Sequence, residues 1–129
     1  MTATTACHPR QLAKTIGHGI ALASSGDTIT VAAATYTENL TISFSLNIIG
    51  SGASTTIIDG GGVGRVIGIT SQTATVTLWG MTLRNGVICG GQGLGVFNLG
   101  IMTINRCTIT GYHSPGFGGF GGGISNQGT

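Results

Sequence analysis

Val76-Thr77-Leu78-Trp79-Gly80-Met81-Thr82-Leu83 is answered 26 residues later by Met102-Thr103-Ile104-Asn105-Arg106-Cys107-Thr108-Ile109. In each stretch an aliphatic residue alternates with Thr, a short break intervenes, and the alternation resumes. Period-two alternation marks a strand with one buried face, and its return at a fixed spacing marks a repeat architecture. Toward the N-terminus, Ile57 stands 26 residues before Leu83, and Asp59-Gly60 stands 26 before Asn85-Gly86. A third strand joins the repeat, with Gly93–Gly100 matching Gly121–Gly128 at a spacing of 28 and Ile67 preceding Val96 by 29. Each period of about 26–30 residues therefore holds three short strands, aligned as Ile48, Ile57, Ile67, then Leu78, Leu83, Val96, then Ile104, Ile109, Ile124. The expected fold is an all-β, three-sided solenoid. Each strand should pair with its equivalent one coil away at ~4.8 Å, with the aliphatic residues stacked inside and Thr outside.

Composition agrees. The 129 residues include 25 Gly and 20 Thr, while Asp, Glu, Lys and Arg together make only 6%. Low charge with 40% hydrophobic residues excludes a disordered chain, and the glycines keep no three-residue period, which excludes collagen. Gly-rich segments at 60–64, 90–95 and 116–123 are expected at corners, where left-handed or closely approached backbone favours Gly. Asn98 and Asn126, one coil apart, are expected to form an internal amide ladder. Before the repeat, Pro9, Leu12, Ile16 and Ile20 suggest a short amphipathic helix over residues 9–24 that caps the column. The expected organisation is thus an extension over 1–8, a capping α-helix over 9–24 and coils over 25–129. The chain stops at Thr129 partway through a coil, so it is expected to be a piece of a longer solenoid.

Four segments carry a resemblance. They are Ser25-Gly26-Asp27-Thr28-Ile29-Thr30-Val31, Thr35-Tyr36-Thr37-Glu38-Asn39-Leu40-Thr41-Ile42, Leu46-Asn47-Ile48-Ile49-Gly50-Ser51-Gly52 and Thr56-Ile57-Ile58-Asp59-Gly60. Together they resemble the opening of bacterial right-handed parallel β-helix repeat proteins, which are pectate-lyase-like in fold. The tail Gly121-Gly122-Gly123-Ile124-Ser125-Asn126-Gln127-Gly128-Thr129 is similar to the Gly-Gly-Gly-Ile-x-Asn-x-Gly-Thr corner of polymorphic outer-membrane and surface proteins. The start, Cys7-His8-Pro9-Arg10-Gln11-Leu12, resembles a Cys-Ser-Leu-Arg-Glu-Ala-Ile motif of some of these domains. Ala34 departs from the pattern, standing where the family has Gly before Thr-Tyr. The resemblance implies a right-handed parallel β-helix and a secreted or cell-surface location; it does not fix an activity.

Site chemistry is sparse. Polysaccharide lyases on this fold resemble one another in using a carboxylate cluster for Ca²⁺, a cation that takes six to eight oxygen ligands, with an Arg or Lys as the base. Asp27, Glu38 and Asp59 are the whole acidic complement and fall in different turns, so structural roles are expected for each. A glycosidase needs two carboxylates flanking the bond, yet Asp59 has Asn85 at its repeat position. His8, His18 and His113 share no ligand spacing. Cys7, Cys89 and Cys107 are odd in number and lack C-x-x-C spacing; they read as free thiols, a Cys89–Cys107 bridge between coils being the alternative. Asn39-Leu40-Thr41 matches a glycosylation sequon that arises readily by chance. No catalytic residue, cofactor or metal site is assigned.

A net charge of +2, with the basic residues scattered, gives no nucleic-acid face. No apolar run reaches the ~18 residues of a membrane span, and Gly17, His18 and Gly19 interrupt the segment after Lys14 that imitates a leader. Trp79, Arg84, Arg106 and Tyr112 are the candidate carbohydrate contacts, with a polysaccharide or cell-surface glycan as partner. The expected function is a non-catalytic structural or adhesive module. The alternatives are the N-terminal part of a carbohydrate-active enzyme with its site on later coils, or a solenoid that associates end to end through its uncapped last coil.

Overall fold

The computed structural model describes residues 3–5, 8–13, 15–87, 95–111 and 123–129, with side chains from residue 15 onward. The alternating segments form short strands: β1 (Ala3–Thr5), β2 (His8–Ala13), β3 (Asp27–Val31), β4 (Ala34–Thr37), β5 (Leu40–Ile42), β6 (Leu46–Ile49) and β7 (Thr56–Asp59). There follow β8 (Ile67–Ile69), β9 (Thr75–Trp79), β10 (Thr82–Arg84), β11 (Val96–Asn98), β12 (Ile101–Asn105), β13 (Thr108–Thr110) and β14 (Ile124–Asn126), while one helix, α1 (Ile16–Leu22), precedes β3.

From β3 onward the chain visits three sheets in turn. Sheet 1 has the order β12-β9-β6-β3-β1-β2, sheet 2 β13-β10-β7-β4 and sheet 3 β14-β11-β8-β5. Pairing between successive coils is parallel throughout. The architecture is all-β, with three parallel sheets and one short helix, and is consistent with a parallel β-solenoid. Inside run the columns Ile29–Ile48–Leu78–Ile104, Tyr36–Ile58–Leu83–Ile109 and Leu40–Ile67–Val96–Ile124. Their first three members are buried, and each aliphatic one contributes roughly 1.5–3 kcal/mol by leaving water. The members in the last coil are half-buried or exposed.

The second column corrects the expected register. Leu83 lies opposite Ile58, not Ile57, so this interval is 25 residues, and Ile57 faces outward beside Thr82. Two adjacent isoleucines satisfy the hydrophobic pattern equally, and a one-residue slip exchanges the faces of the whole strand. Asp59 decides between them. With Ile58 inside, Asp59 faces out opposite Arg84; with Ile57 inside, its carboxylate would enter an apolar column at a cost of several kcal/mol.

The helix is also shorter than expected. Residues 8–13, assigned by the sequence to its first half, form β2, which pairs antiparallel with β1, and β1 pairs antiparallel with β3. The 1–8 extension and the start of the expected helix thus add two strands to the leading edge of sheet 1. The helix begins where its free N–H groups find acceptors. Thr15 is the N-cap, its hydroxyl accepting from His18 N at 3.0 Å, and the Glu38 carboxylate accepts from Ile16 N and Gly17 N at 2.8 Å each. A Cβ on Gly17 would stand 3.1 Å from Glu38 Oε1, so the glycine that weakens the helix also admits its clamp.

Corner glycines answer to close backbone approach. A Cβ on Gly60 would lie 2.7 Å from Asn85 O, and one on Gly100 2.5 Å from Ala74 O. The other Gly-rich segments, at 90–95 and 116–123, fall mostly outside the described residues. The amide ladder is present: Asn98, fully buried, donates from Nδ2 to Asn126 Oδ1 at 2.7 Å and to Gly100 O at 3.0 Å, while its Oδ1 accepts from Gly100 N. Cys107 is a half-buried free thiol within 3.3 Å of Asn105 O; Cys7 and Cys89 lie outside the residues whose side chains are described.

Register sets a direct test. Ile58→Ala should cost about 2–5 kcal/mol, as for other fully buried isoleucines, and Ile57→Ala less than about 1.5 kcal/mol. Urea unfolding of the two variants measures both, and equal losses would contradict the register.

Candidate functional site

Outward side chains form columns of their own, because period two leaves one residue facing out between two facing in. Sheet 1 carries Thr28–Asn47–Thr77–Thr103 and Thr30–Ile49–Trp79–Asn105. Sheet 2 carries Thr35–Ile57–Thr82–Thr108 and Thr37–Asp59–Arg84–Thr110. Sheet 3 carries Thr41–Gly68–Phe97–Ser125. Any surface site must be assembled from these columns and the turns between them.

The four expected carbohydrate contacts do not come together. Trp79 and Arg106 are neighbours: Arg106, in the turn after β12 with φ 54°, places its guanidinium 5.9 Å from the centroid of the Trp79 ring. That side of the indole is therefore already used in a cation–π contact between coils, the kind worth ~0.5–1 kcal/mol at exposed sites. Arg84 stands on sheet 2, where its Nε donates to Asp59 Oδ2 at 2.8 Å across the coil boundary. Tyr112 lies outside the described residues.

All three side-chain carboxylates are engaged in holding the backbone. Asp27, buried at the start of β3, accepts from Ser24 N at 2.8 Å and closes the turn after α1. Glu38 clamps the helix N-terminus. Asp59 accepts from Gly61 N at 2.8 Å, Asn85 Nδ2 at 3.2 Å and Arg84. Burial pushes the Asp59 carboxyl up, but the hydrogen bonds from Arg84, Gly61 and Asn85, with the Arg84 charge, outweigh it and hold it below the usual carboxylate range. Among the described residues, no three His, Cys, Asp or Glu side chains are grouped to hold a metal ion, and no helix is long and apolar enough to cross a membrane. The sequon asparagine is committed as well, Asn39 Nδ2 donating to Arg65 O at 2.7 Å and Gly60 O at 3.1 Å.

One hollow opens on the outer face of sheet 3. Its volume is about 240 Å³, and Asn39, Leu40, Thr41, Arg65, Gly68 and Thr70 line it. Arg65, half-buried in the turn before β8, lays its guanidinium 4.5 Å from the centroid of the Phe97 ring, one coil on. Neither Arg65 nor Phe97 belonged to the candidates taken from the sequence. Their pairing spans 32 positions and a change of coil, which no local motif reveals. The legible signal was Ile67-Gly68-Ile69, a strand with a glycine where the pattern supplies an outward side chain.

No family model matches the chain, and no curated protein is similar to it in sequence. Its function must be argued from the columns themselves.

The Asp59 geometry fixes a pH dependence. Because the carboxyl titrates lower in the folded chain than in the unfolded one, its contribution is full above the unfolded value, ~3.9 for an ordinary Asp. It is lost as pH falls through the folded value. With Arg84 42% and Asp59 13% exposed, the contribution should be about 0.5–1 kcal/mol. Melting temperature followed from pH 7 down to pH 2 should fall less steeply at the acid end for Asp59→Asn than for the parent chain.

Proposed function

We propose that this chain is a non-catalytic structural or adhesive module of the right-handed parallel β-helix type, working on the outside of a bacterial cell. The observation that carries the reading is the employment of its acidic groups: Asp27, Glu38 and Asp59 each close a turn, cap the helix or tie two coils. A lyase or glycosidase site on these coils would need carboxylates aimed at substrate or cation, and here they are aimed at backbone N–H groups and an arginine. What remains outward is a set of columns rich in Thr, with aromatic–arginine pairs bridging coils at Trp79–Arg106 and Phe97–Arg65. Such a surface suits display and weak, repeated contact with a glycan. The rigid, hydrogen-bonded stack behind it suits a spacer. The external location rests on the resemblance of the corner and strand motifs to those of surface β-helix proteins.

The test is to incubate the chain with polygalacturonate, with and without Ca²⁺, following ultraviolet absorbance for unsaturated products and reducing ends for hydrolysis. Neither signal should rise above the buffer control, while migration in affinity gels cast with the polysaccharide should be retarded. Release of unsaturated products would overturn the non-catalytic reading; unretarded migration across a panel of acidic and neutral polysaccharides would leave only the spacer role.

A further inference from the structure

Gly68 stands at the centre of β8, facing outward, and the fold does not require a glycine there. Its φ lies outside the left-handed region, and a Cβ built on it meets no atom within 4 Å among the described residues. Gly60 and Gly100 are different, since at both of them a Cβ would strike backbone of the neighbouring coil. Glycine inside a strand sacrifices backbone entropy and side-chain packing, and where no bend or bulge explains it, it marks close approach of a ligand. Arg65 does not account for it either, because that side chain too lies beyond 4 Å of the Cβ position.

The missing side chain opens a slot in the column Thr41–Gly68–Phe97. Thr41 and Phe97 are two strand spacings apart, about 9.6 Å along the stack, which leaves room for one sugar ring between them. Three kinds of group line the hollow. The Arg65 guanidinium, steadied over Phe97, offers planar donors suited to a carboxylate or sulfate. The Thr41 and Thr70 hydroxyls donate and accept as ring hydroxyls do, and Leu40 with the bare backbone of Gly68 supplies an apolar floor. No Asp or Glu is among the lining residues to repel an anion.

We propose that this hollow binds a single saccharide unit carrying an anionic group, with Arg65 on the anion and Thr41 and Thr70 on the ring hydroxyls. The proposal rests on the adhesive form of the function given above and places the contact on sheet 3, away from Trp79 and Arg106. The full chain, ¹⁵N-labelled, is titrated with methyl glucuronoside and, separately, with methyl glucoside. The acidic sugar should shift the Gly68 and Thr70 amides, with the neutral one at least tenfold weaker. Arg65→Gln should weaken the acidic sugar at least tenfold, and Gly68→Leu should abolish its binding by filling the slot. Gly68→Ala, which meets no clash, should melt no lower than the parent and shows that the position tolerates a side chain. Equal affinity for the two sugars, undiminished binding by Gly68→Leu, or no shift with either sugar overturns the site. Shifts centred on Trp79 and Arg106 would overturn the hollow and leave the adhesive reading standing; conversion of polygalacturonate to unsaturated products would end the non-catalytic reading whatever the hollow binds.

Discussion

Strand-on-strand pairing between successive coils governs this molecule. Parallel neighbours in register must present like residues at like stations, because each side chain lies one strand spacing, about 4.8 Å, from its equivalent. Apolar residues meet this demand by stacking inside. Charges meet it badly, since like charges placed directly opposite repel, and a solenoid that repeated an Asp at one outward station would build a row of repulsion. The composition follows from that constraint. Thr and Asn fill outward stations without charge, and the one described ion pair across a coil boundary, Asp59–Arg84, alternates sign between adjacent coils. Asn98 and Asn126 show the favourable case, because an amide both donates and accepts and can repeat without conflict.

The same constraint explains what the sequence disclosed and what it withheld. Stations recurring at 26, 28 and 29 residues are long-range facts written as spacing, so the three-strand coil, the Leu83–Ile109 and Val96–Ile124 pairs and the amide ladder were legible from residues alone. Register at Ile57-Ile58 was not, because hydrophobicity is equal at the two positions and the choice falls to where a carboxylate can be tolerated. The start of α1 was hidden for a related reason. Leu12, Ile16 and Ile20 fit a helix face, but β1 offers residues 8–13 a full set of backbone partners along sheet 1, and pattern alone does not register a competing strand edge. Tertiary partners override local propensity. Glu38 belongs to the same class, a clamp on a helix more than twenty residues away in sequence.

Surface chemistry was the least legible part. Aromatic and basic residues could be listed from the sequence as sugar contacts, but their meaning depends on which side chain the neighbouring coil sets beside each. Arg106 folds back from a left-handed turn onto Trp79, and Arg84 is drawn to Asp59, so two of the expected contacts are better described as fasteners between coils. Arg65 and Phe97 form a similar fastener but border an opening, and the difference lies in one residue between them and Thr41 that has no side chain.

Glycine therefore carries three separate meanings in this chain, which composition alone merges into one. At Gly60 and Gly100 it lets neighbouring backbone come close at a corner; at Gly17 it admits a carboxylate to a helix N-terminus; at Gly68 neither backbone conformation nor packing calls for it. The first two kinds are fixed by the fold and would be retained in a solenoid with no ligand at all. The third weakens the strand that holds it and returns nothing to the stack. In an architecture where every outward station can hold a Thr without strain, a bare station is a departure that the fold does not explain, and the side chains gathered around it supply the chemistry of an anionic sugar site.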